Sequence, residues 1–313
     1  MTVQHPPGPP PGMMPLDPAP DSRRREIRGA LRHPLENFAL VVVVLTSVII
    51  VSTSIYSVVG SLRRGETPGT YAMLFTIMPI GIWIARGLLM AQLRLNGVKV
   101  TPTQYPEAHA MIQEAAATFG MKRAPDAYVV LGNGVINAAA SGHGFRRFIF
   151  IYSDLFEVGG RLKNPDALRF IVGHELGHIA AGHASYWRWV GIFAASYVPF
   201  LGSVLSRSQE YSADNFGYAY CPHGSAPAMS TLAVGKYLNR TVDINAIADR
   251  AEGEKGFFVW LANALASHPV LAWRAHALRD RSRPGRLLWR PRPSRELPPA
   301  YSAPPLPPGQ AGS

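Results

Sequence analysis

Two histidines and a glutamate lie at a spacing that suits metal-dependent hydrolysis. His174 and His178 are four residues apart, so on a helix they share one face and can bind a single ion. Glu175 would lie beside that ion, where its carboxylate can accept a proton from a bound water. An H-E-x-x-H pattern is expected by chance in roughly one chain of this composition in a hundred. The pattern therefore predicts a catalytic metal site.

An acidic pair, Glu210 and Asp214, follows these histidines later in the chain. Zinc in hydrolytic sites commonly takes three protein ligands and leaves a fourth position for water. His174, His178 and Glu210 would supply those three ligands, so we predict one Zn²⁺ per chain. On a helix, Asp214 shares a face with Glu210, and its carboxylate is expected to accept a hydrogen bond from a ligand histidine. The alternative for Asp214 is an ordinary position on a helix surface.

The chemistry expected of these residues is peptide-bond hydrolysis by a metal-activated water. Zinc lowers the pKa of a bound water and polarises the carbonyl that this water attacks. Glu175 is the predicted general base, and it would carry the proton on to the leaving amine. His183 is not expected to be a ligand, because five residues after His178 it is turned away from the ligand face. By its position alone, His268 is expected to be structural.

A helix must carry the two histidines, and the sequence indicates where that helix begins. Asn164 is a good N-cap and Pro165 suits the first turn, so we predict a helix from there to about His183. A further helix and two β-type runs precede it, at residues 105–119, 126–132 and 148–152. We therefore predict a mostly helical α+β domain with a small sheet over residues 96–282.

Two apolar runs near the N-terminus are long enough to cross a bilayer. Phe38–Val59 and a run from Tyr71 to about Leu93 are joined by a short, turn-rich linker, which predicts a transmembrane hairpin over residues 36–95. Arginines before the first run favour a cytosolic N-terminus, whereas Arg63 and Arg64 in the outer loop oppose it. We expect an integral protein of the plasma (inner) membrane, in contact with the lipid bilayer and with its catalytic domain facing the cytoplasm.

The apolar stretch at residues 190–205 lies between the histidines and Glu210. It is short for a membrane crossing, and Pro199 would break or kink a helix. A single crossing would also place Glu210 on the opposite side of the membrane from His174. We therefore predict that this stretch folds back on itself, either as a packed helical hairpin or as a surface that dips into the bilayer.

Composition indicates disordered termini and argues against nucleic-acid binding and disulfide bonds. Residues 1–35 are rich in proline and arginine, as are residues 283–313, and both segments are predicted to be disordered. The net charge is +11, but no basic motif is interleaved with aromatic residues, so no nucleic-acid partner is expected. The single cysteine, Cys221, excludes an internal disulfide.

The motifs taken together resemble the HtpX-like membrane metallopeptidases, which are related to the CAAX prenyl endopeptidases. The resemblance covers residues 36–282, from the apolar hairpin to a late His-Pro-x-x-x-x-Arg element. Its motifs are His174-Glu175-Leu176-Gly177-His178, Glu210 with Asp214, Asn137-Ala138-Ala139-Ala140, and His268-Pro269 with Arg274. Ala139 departs from the family pattern, which has an aromatic residue there. Better-known members often have two membrane spans between the motif helices, and this chain has no room for them.

The resemblance implies a zincin-like fold of the gluzincin type and endopeptidase activity in membrane-protein quality control. The implied substrates are proteins or peptides, above all membrane or misfolded proteins. It also implies that Asn137 and Ala138 belong to an edge strand that pairs with extended substrate. His268 or Arg274 would position substrate or stabilise the oxyanion.

Two other classes of function compete with a membrane-anchored zinc endopeptidase. An intramembrane protease of the site-2 type needs its motif within an apolar span, but Asn164, Asp166 and Arg169 flank this motif. A latent or non-proteolytic zinc-binding scaffold or adaptor is the second alternative. The intact Glu175 argues against it, because a purely structural zinc site needs no base.

Overall fold

Helices make up most of the chain, as the sequence predicts. The computed structural model describes residues 21–134, 137–143, 146–156 and 164–294. Its helices are α1 (Asp21–Leu31), α2 (Glu36–Arg63), α3 (Thr70–Asn96), α4 (Pro106–Thr118), α5 (Pro165–Ala180), α6 (Tyr186–Ile192), α7 (Leu201–Tyr220), α8 (Ser225–Leu238), α9 (Ile244–Gly253), α10 (Phe257–Leu265) and α11 (Leu271–Arg279). Its strands are β1 (Val98–Lys99), β2 (Asp126–Val130), β3 (Ala138–His143) and β4 (Arg146–Tyr152).

Helix α5 carries the H-E-x-x-H motif and begins where local sequence predicts. The Asn164 side chain accepts a hydrogen bond from the Ala167 N–H at 3.1 Å, and Pro165 occupies the first turn. The helix ends at Ala180, slightly before the predicted end near His183. Gly182 follows with a φ of +84°, a left-handed conformation that glycine adopts without strain and that ends the helical path.

The four strands form one sheet in the order β1-β2-β4-β3. Strands β2 and β4 are parallel, whereas β1 with β2 and β3 with β4 are antiparallel. Strand β3 is therefore an edge strand, and the backbone groups on its outer side do not pair within the sheet. One face of the sheet packs on α4 and α5 through residues such as Ile149, Ile151 and Leu176. The other face packs on α3 through Met90, Phe148 and Phe150.

Helices α5 and α7 pack closely because glycines lie at their contact. A Cβ atom built on Gly177 would lie 2.5 Å from the Phe216 Cβ, and one built on Gly217 would lie 2.9 Å from the Phe170 carbonyl oxygen. No larger side chain fits at either position while the helices stay in place. The glycine inside H-E-L-G-H therefore sets the separation between the two motif helices.

The apolar stretch at residues 190–205 folds back, as its length predicts. Helix α6 ends at Ile192, a short turn follows, and α7 begins at Leu201 just after Pro199. The turn packs on α2, where Ala39 and Val43 contact Ala195. The Ala195 N–H also donates a hydrogen bond to the Ser47 Oγ at 2.9 Å.

Helices α2 and α3 form an antiparallel pair, each long and apolar enough to cross a membrane. Many of their apolar side chains are exposed, including Phe38, Leu45, Ile49, Ile77, Ile80 and Leu88. The pair is also joined to the rest of the fold at the edge strand. Arg86 of α3 donates a hydrogen bond to the Gly142 carbonyl at 2.7 Å, and its guanidinium lies 4.6 Å from the Trp189 ring centroid.

Parts of both segments predicted to be disordered are ordered. Residues 21–31 form α1, and residues 283–294 pack against the helical domain, with Leu287 buried. The packed segment is held through its backbone, because the Gly285 carbonyl accepts from His33 at 2.9 Å and the Arg286 carbonyl accepts from Tyr211 at 3.1 Å. The domain therefore extends to residue 294. Residues 1–20 and 295–313 lie outside the described residues.

Candidate metal centre

Helices α5 and α7 bring the three predicted ligands together. His174 and His178 lie one turn apart on α5, and Glu210 faces them from α7. One potential ligand atom from each residue lies within 4.8 Å of the others. His174 and Glu210 are buried and His178 is partly buried, so the group is largely screened from solvent.

The separation of the two histidine nitrogens fits two ligands of one zinc ion, and Glu210 lies close to both. Two ligands bound to zinc at 2.0–2.1 Å with a tetrahedral angle are about 3.3 Å apart. The two Nε2 atoms of His174 and His178 are 3.2 Å apart. The Glu210 Oε2 lies 3.5 Å from the His174 Nε2, and the Glu210 Oε1 lies 3.4 Å from the His178 Nε2. Two imidazoles and a carboxylate are also a donor set that suits zinc, whereas calcium and magnesium prefer oxygen alone.

Asp214 lies directly behind His174, as the i+4 spacing from Glu210 predicts. The His174 Nδ1–H donates to the Asp214 carboxylate at 2.9 Å. Arg274 of α11 donates two hydrogen bonds to the same carboxylate, from Nη2 at 2.6 Å and from Nε at 2.9 Å. The positive guanidinium outweighs the effect of burial and holds the pKa of Asp214 below its usual range. Asp214 is thus a buried anion that fixes the His174 ring.

A second chain of contacts lies behind His178. Its Nδ1 is 2.8 Å from the Nδ1 of His183, and the Nε2 of His183 is 3.1 Å from a carboxylate oxygen of Glu36. Glu36 is the first residue of α2, and its side chain is fully buried. Arg188 and Ser212 also contact this carboxylate, at 3.0 and 2.5 Å.

Burial and hydrogen bonding set the charges in the centre. Burial alone would raise the pKa of Glu210, but its contacts with His174 and His178 outweigh that effect and hold the pKa well below its usual range. Glu210 is therefore an anion and a good metal ligand. Burial lowers the pKa of His183 to about 3, despite its contact with Glu36, so its imidazole is neutral at physiological pH.

The remaining predicted site residues line one cavity of about 430 Å³ with the ligands. Glu175 lies in its wall beside the two histidines. Asn137 and Ala138 contribute from the start of the edge strand, His268 from the segment before α11, and Arg274 from α11. The structure therefore brings every residue of the predicted site to one place.

His268 and Arg274 differ in what they contact there. The His268 side chain is largely exposed, and its Nε2 lies 3.3 Å from a Glu210 carboxylate oxygen. Arg274 is almost fully enclosed and is bound to Asp214, so its main contact is with the residue behind a ligand.

Glu36, His183 and Arg188 were not among the predicted site residues. His183 lies five residues after His178, a spacing that excludes a ligand but still allows contact between the two rings across the end of α5. Glu36 had one signal in the sequence, since it is the last charged residue before a long apolar run. Nothing in the sequence indicated that it reaches the metal centre.

Comparison with known families identifies the protein class. The family model of peptidase family M48 matches residues 102–191 and 185–282, which is more than half of the chain and includes all three ligands, Glu175 and Asp214. The domain of this family has a zincin-like fold, and its members are metallopeptidases of the HtpX and CAAX-protease type. Comparisons with curated proteins and with solved structures gave no match. The chain belongs to peptidase family M48.

Proposed function

We propose that this protein is a membrane-anchored, zinc-dependent endopeptidase of the gluzincin type. The observation that carries the proposal is the convergence of His174, His178 and Glu210 in one cavity that Glu175 also lines. These three residues would hold one zinc ion per chain. When bound, zinc supplies a Lewis acid that acidifies a water and polarises a carbonyl.

Glu175 is the proposed general base. Glu175 lines the same cavity as both histidines, and its role would be to take a proton from the attacking water at a carboxylate oxygen. The same oxygen then delivers that proton to the amide nitrogen of the departing peptide. A glutamate at this position is used only during catalysis, which favours a protease over a zinc-binding scaffold.

The edge strand is the proposed binding site for extended substrate. Asn137–Ala140 forms one wall of the cavity, and the outer backbone groups of β3 can pair with a peptide by strand addition. Ala139 is small and exposed, so this wall carries no aromatic side chain that would crowd the peptide. Such backbone recognition suits unfolded segments of many sequences, which agrees with a role in quality control of membrane or misfolded proteins.

His268 and Arg274, which also line the cavity, have different proposed roles. The His268 imidazole is largely exposed and lines the cavity, so it is the better candidate for stabilising the oxyanion. Arg274 acts mainly through Asp214, because its guanidinium is bound to that carboxylate.

Helices α2 and α3 are the proposed membrane anchor. Their length and exposed apolar surfaces suit the hydrocarbon core of a bilayer, and arginines before α2 favour a cytoplasmic N-terminus. A hairpin returns the catalytic domain to the same side. The proposed location is the plasma (inner) membrane, with the active site at its cytoplasmic surface.

Metal removal tests the proposed activity. The detergent-purified chain is treated with a zinc chelator, dialysed, and assayed on an unfolded model protein before and after addition of zinc. We expect cleavage to disappear with the metal and to return with about one equivalent of zinc per chain. Cleavage that survives complete zinc removal would contradict the proposal, and zinc binding without cleavage would favour a scaffold.

A further inference from the structure

We propose that Glu36 and His183 are positioning residues for the metal ligand His178. Glu36, the first residue of the apolar helix α2, would thereby help to hold a metal ligand in position. This inference rests on the proposed zinc site. It goes beyond the family match, because Glu36 lies outside the matched residues.

The hydrogen-bonding roles along this chain of contacts follow from the orientation of His178. Its Nε2 faces His174 and Glu210, so in a ligand state this nitrogen offers its lone pair to the metal. The hydrogen of the neutral ring is then on Nδ1, which donates to the Nδ1 of His183 at 2.8 Å. His183 in turn carries its hydrogen on Nε2 and donates to Glu36 at 3.1 Å. Each ring nitrogen along the path from His178 to Glu36 therefore has a donor or acceptor role that matches its partner.

The Glu36 carboxylate is built to remain an anion at the end of this chain. A fully buried carboxylate is strongly disfavoured unless ion pairs and hydrogen bonds replace its water. Arg188 supplies the ion pair at 3.0 Å, and the Ser212 hydroxyl donates to the second carboxylate oxygen at 2.5 Å. Ser212 lies on α7, two residues after the ligand Glu210. The anion is therefore tied directly to α7 and, through His183, to the ligand His178 on α5.

The two ligand histidines are supported in parallel ways. His174 donates directly to Asp214, which is paired with Arg274, whereas His178 donates through His183 to Glu36, which is paired with Arg188. A carboxylate behind a metal-bound imidazole fixes its tautomer and orientation and increases its basicity. The second support differs in one respect, because its carboxylate belongs to the proposed membrane anchor.

Further contacts hold the junction before α2 against the same elements. The Arg32 guanidinium donates to the Ala181 carbonyl at the end of α5. The backbone N–H of His33 donates to the Ser212 Oγ at 2.8 Å. The position of Glu36 is thus fixed from the domain side, and displacement of α2 would change the support of His178.

Zinc affinity of full-length variants tests this inference. Glu36→Leu removes the acceptor for His183, whereas Glu36→Gln keeps an acceptor oxygen and loses the charge. We expect zinc affinity, measured by competition with a chelator, to fall about 10–100-fold for Glu36→Leu and less for Glu36→Gln. The visible spectrum of the cobalt-substituted protein should change as well, because it reports the arrangement of the ligands.

A matched control separates positioning from general stability. Glu252 forms a comparable pair with His276, at 3.1 Å, and neither side chain contacts a proposed zinc ligand or Asp214. Glu252→Gln should lower thermal stability but leave zinc affinity and the cobalt spectrum unchanged. If Glu36→Leu does not fold, His183→Phe and His183→Gln provide the same comparison, because Gln keeps an acceptor for His178 and Phe does not.

The outcomes of these experiments are distinct. Parental zinc affinity and an unchanged cobalt spectrum in folded Glu36 or His183 variants would overturn the inference and leave the proposed peptidase intact. A parent chain that binds no zinc would overturn both. The inference is supported if Glu36→Leu loses more zinc affinity than Glu36→Gln does. The zinc affinity of Glu252→Gln must at the same time equal that of the parent.

Discussion

At the scale of single residues, the candidate metal centre is a set of three ligands backed by buried anions. Asp214 is 2.9 Å from the His174 Nδ1, and two bonds from Arg274 balance its charge. Such a pair raises the basicity of the imidazole and holds it in one tautomer, so that its Nε2 is ready to bind metal. We therefore expect the carboxylates behind the proposed ligands to influence zinc affinity without touching the ion.

Removal of the Asp214 charge should weaken the centre. Asp214→Asn keeps an oxygen that can accept from His174, but it leaves the buried Arg274 guanidinium without its counter-ion. We expect zinc affinity to fall about 10–100-fold, as measured by chelator competition. Asp249→Asn is the control, because Asp249 pairs with Arg279 at an exposed position away from the ligands. Parental affinity in Asp214→Asn would contradict this account of the His174 support.

At the scale of elements, the contact between α5 and α7 determines whether three ligands can meet. Gly177 and Gly217 let the backbones approach, with Phe216 and Phe170 filling the space on either side. Two ligands come from α5 and one comes from α7. A small increase in the separation of these helices would therefore move Glu210 away from both histidines.

A methyl group at Gly177 should disturb both stability and metal binding. The added Cβ would lie 2.5 Å from the Phe216 Cβ, so α7 must shift. We expect Gly177→Ala to lose about 1–3 kcal/mol of unfolding free energy, the usual cost of overpacking, and to bind zinc more weakly. Thermal unfolding and chelator competition measure the two effects. Gly253→Ala is the control, because a Cβ there meets nothing within 4 Å; equal behaviour of the two variants would refute the argument.

The elements also show which features the sequence could predict. The start of α5 was predictable because Asn164 and Pro165 act on their own helix, through bonds that span only a few residues. The return of the chain at residues 190–205 followed from length and from the need to keep three ligands together. The cap indicated the start of the helix that carries the motif, and the spacing of the motif residues indicated the candidate site.

Long-range contacts account for what the sequence did not reveal. Glu36 and His183 are 147 positions apart, and no periodic pattern connects them. The segment at residues 283–294 was predicted to be disordered because it is rich in proline and arginine. It is held instead by hydrogen bonds to its backbone carbonyls from His33 and Tyr211, which composition does not encode.

At the scale of the whole molecule, the two apolar helices are integrated into the catalytic domain. Helix α2 packs on the turn before α7 through Ala39 and Val43, and α3 covers one face of the sheet through Met90. Arg86 joins α3 to the end of the edge strand. The proposed anchor is therefore also a structural part of the domain.

The proposed orientation in the membrane can be tested by thiol labelling. The only cysteine, Cys221, is buried, so introduced cysteines provide a clean signal. A membrane-impermeant thiol reagent added to intact spheroplasts should label Glu66→Cys, in the turn between α2 and α3. It should not label Lys255→Cys on the catalytic domain until the membrane is permeabilised. The reverse pattern would show that the catalytic domain faces outwards.

The central claim, a zinc peptidase with Glu175 as its base, is tested most directly by one comparison. The parent chain and Glu175→Gln are purified in detergent, and both cleavage of an unfolded model protein and zinc content are measured. The amide cannot accept the proton, but it leaves the three proposed ligands in place. The account predicts about one zinc per chain in both proteins and cleavage by the parent alone. Undiminished cleavage by Glu175→Gln would contradict it.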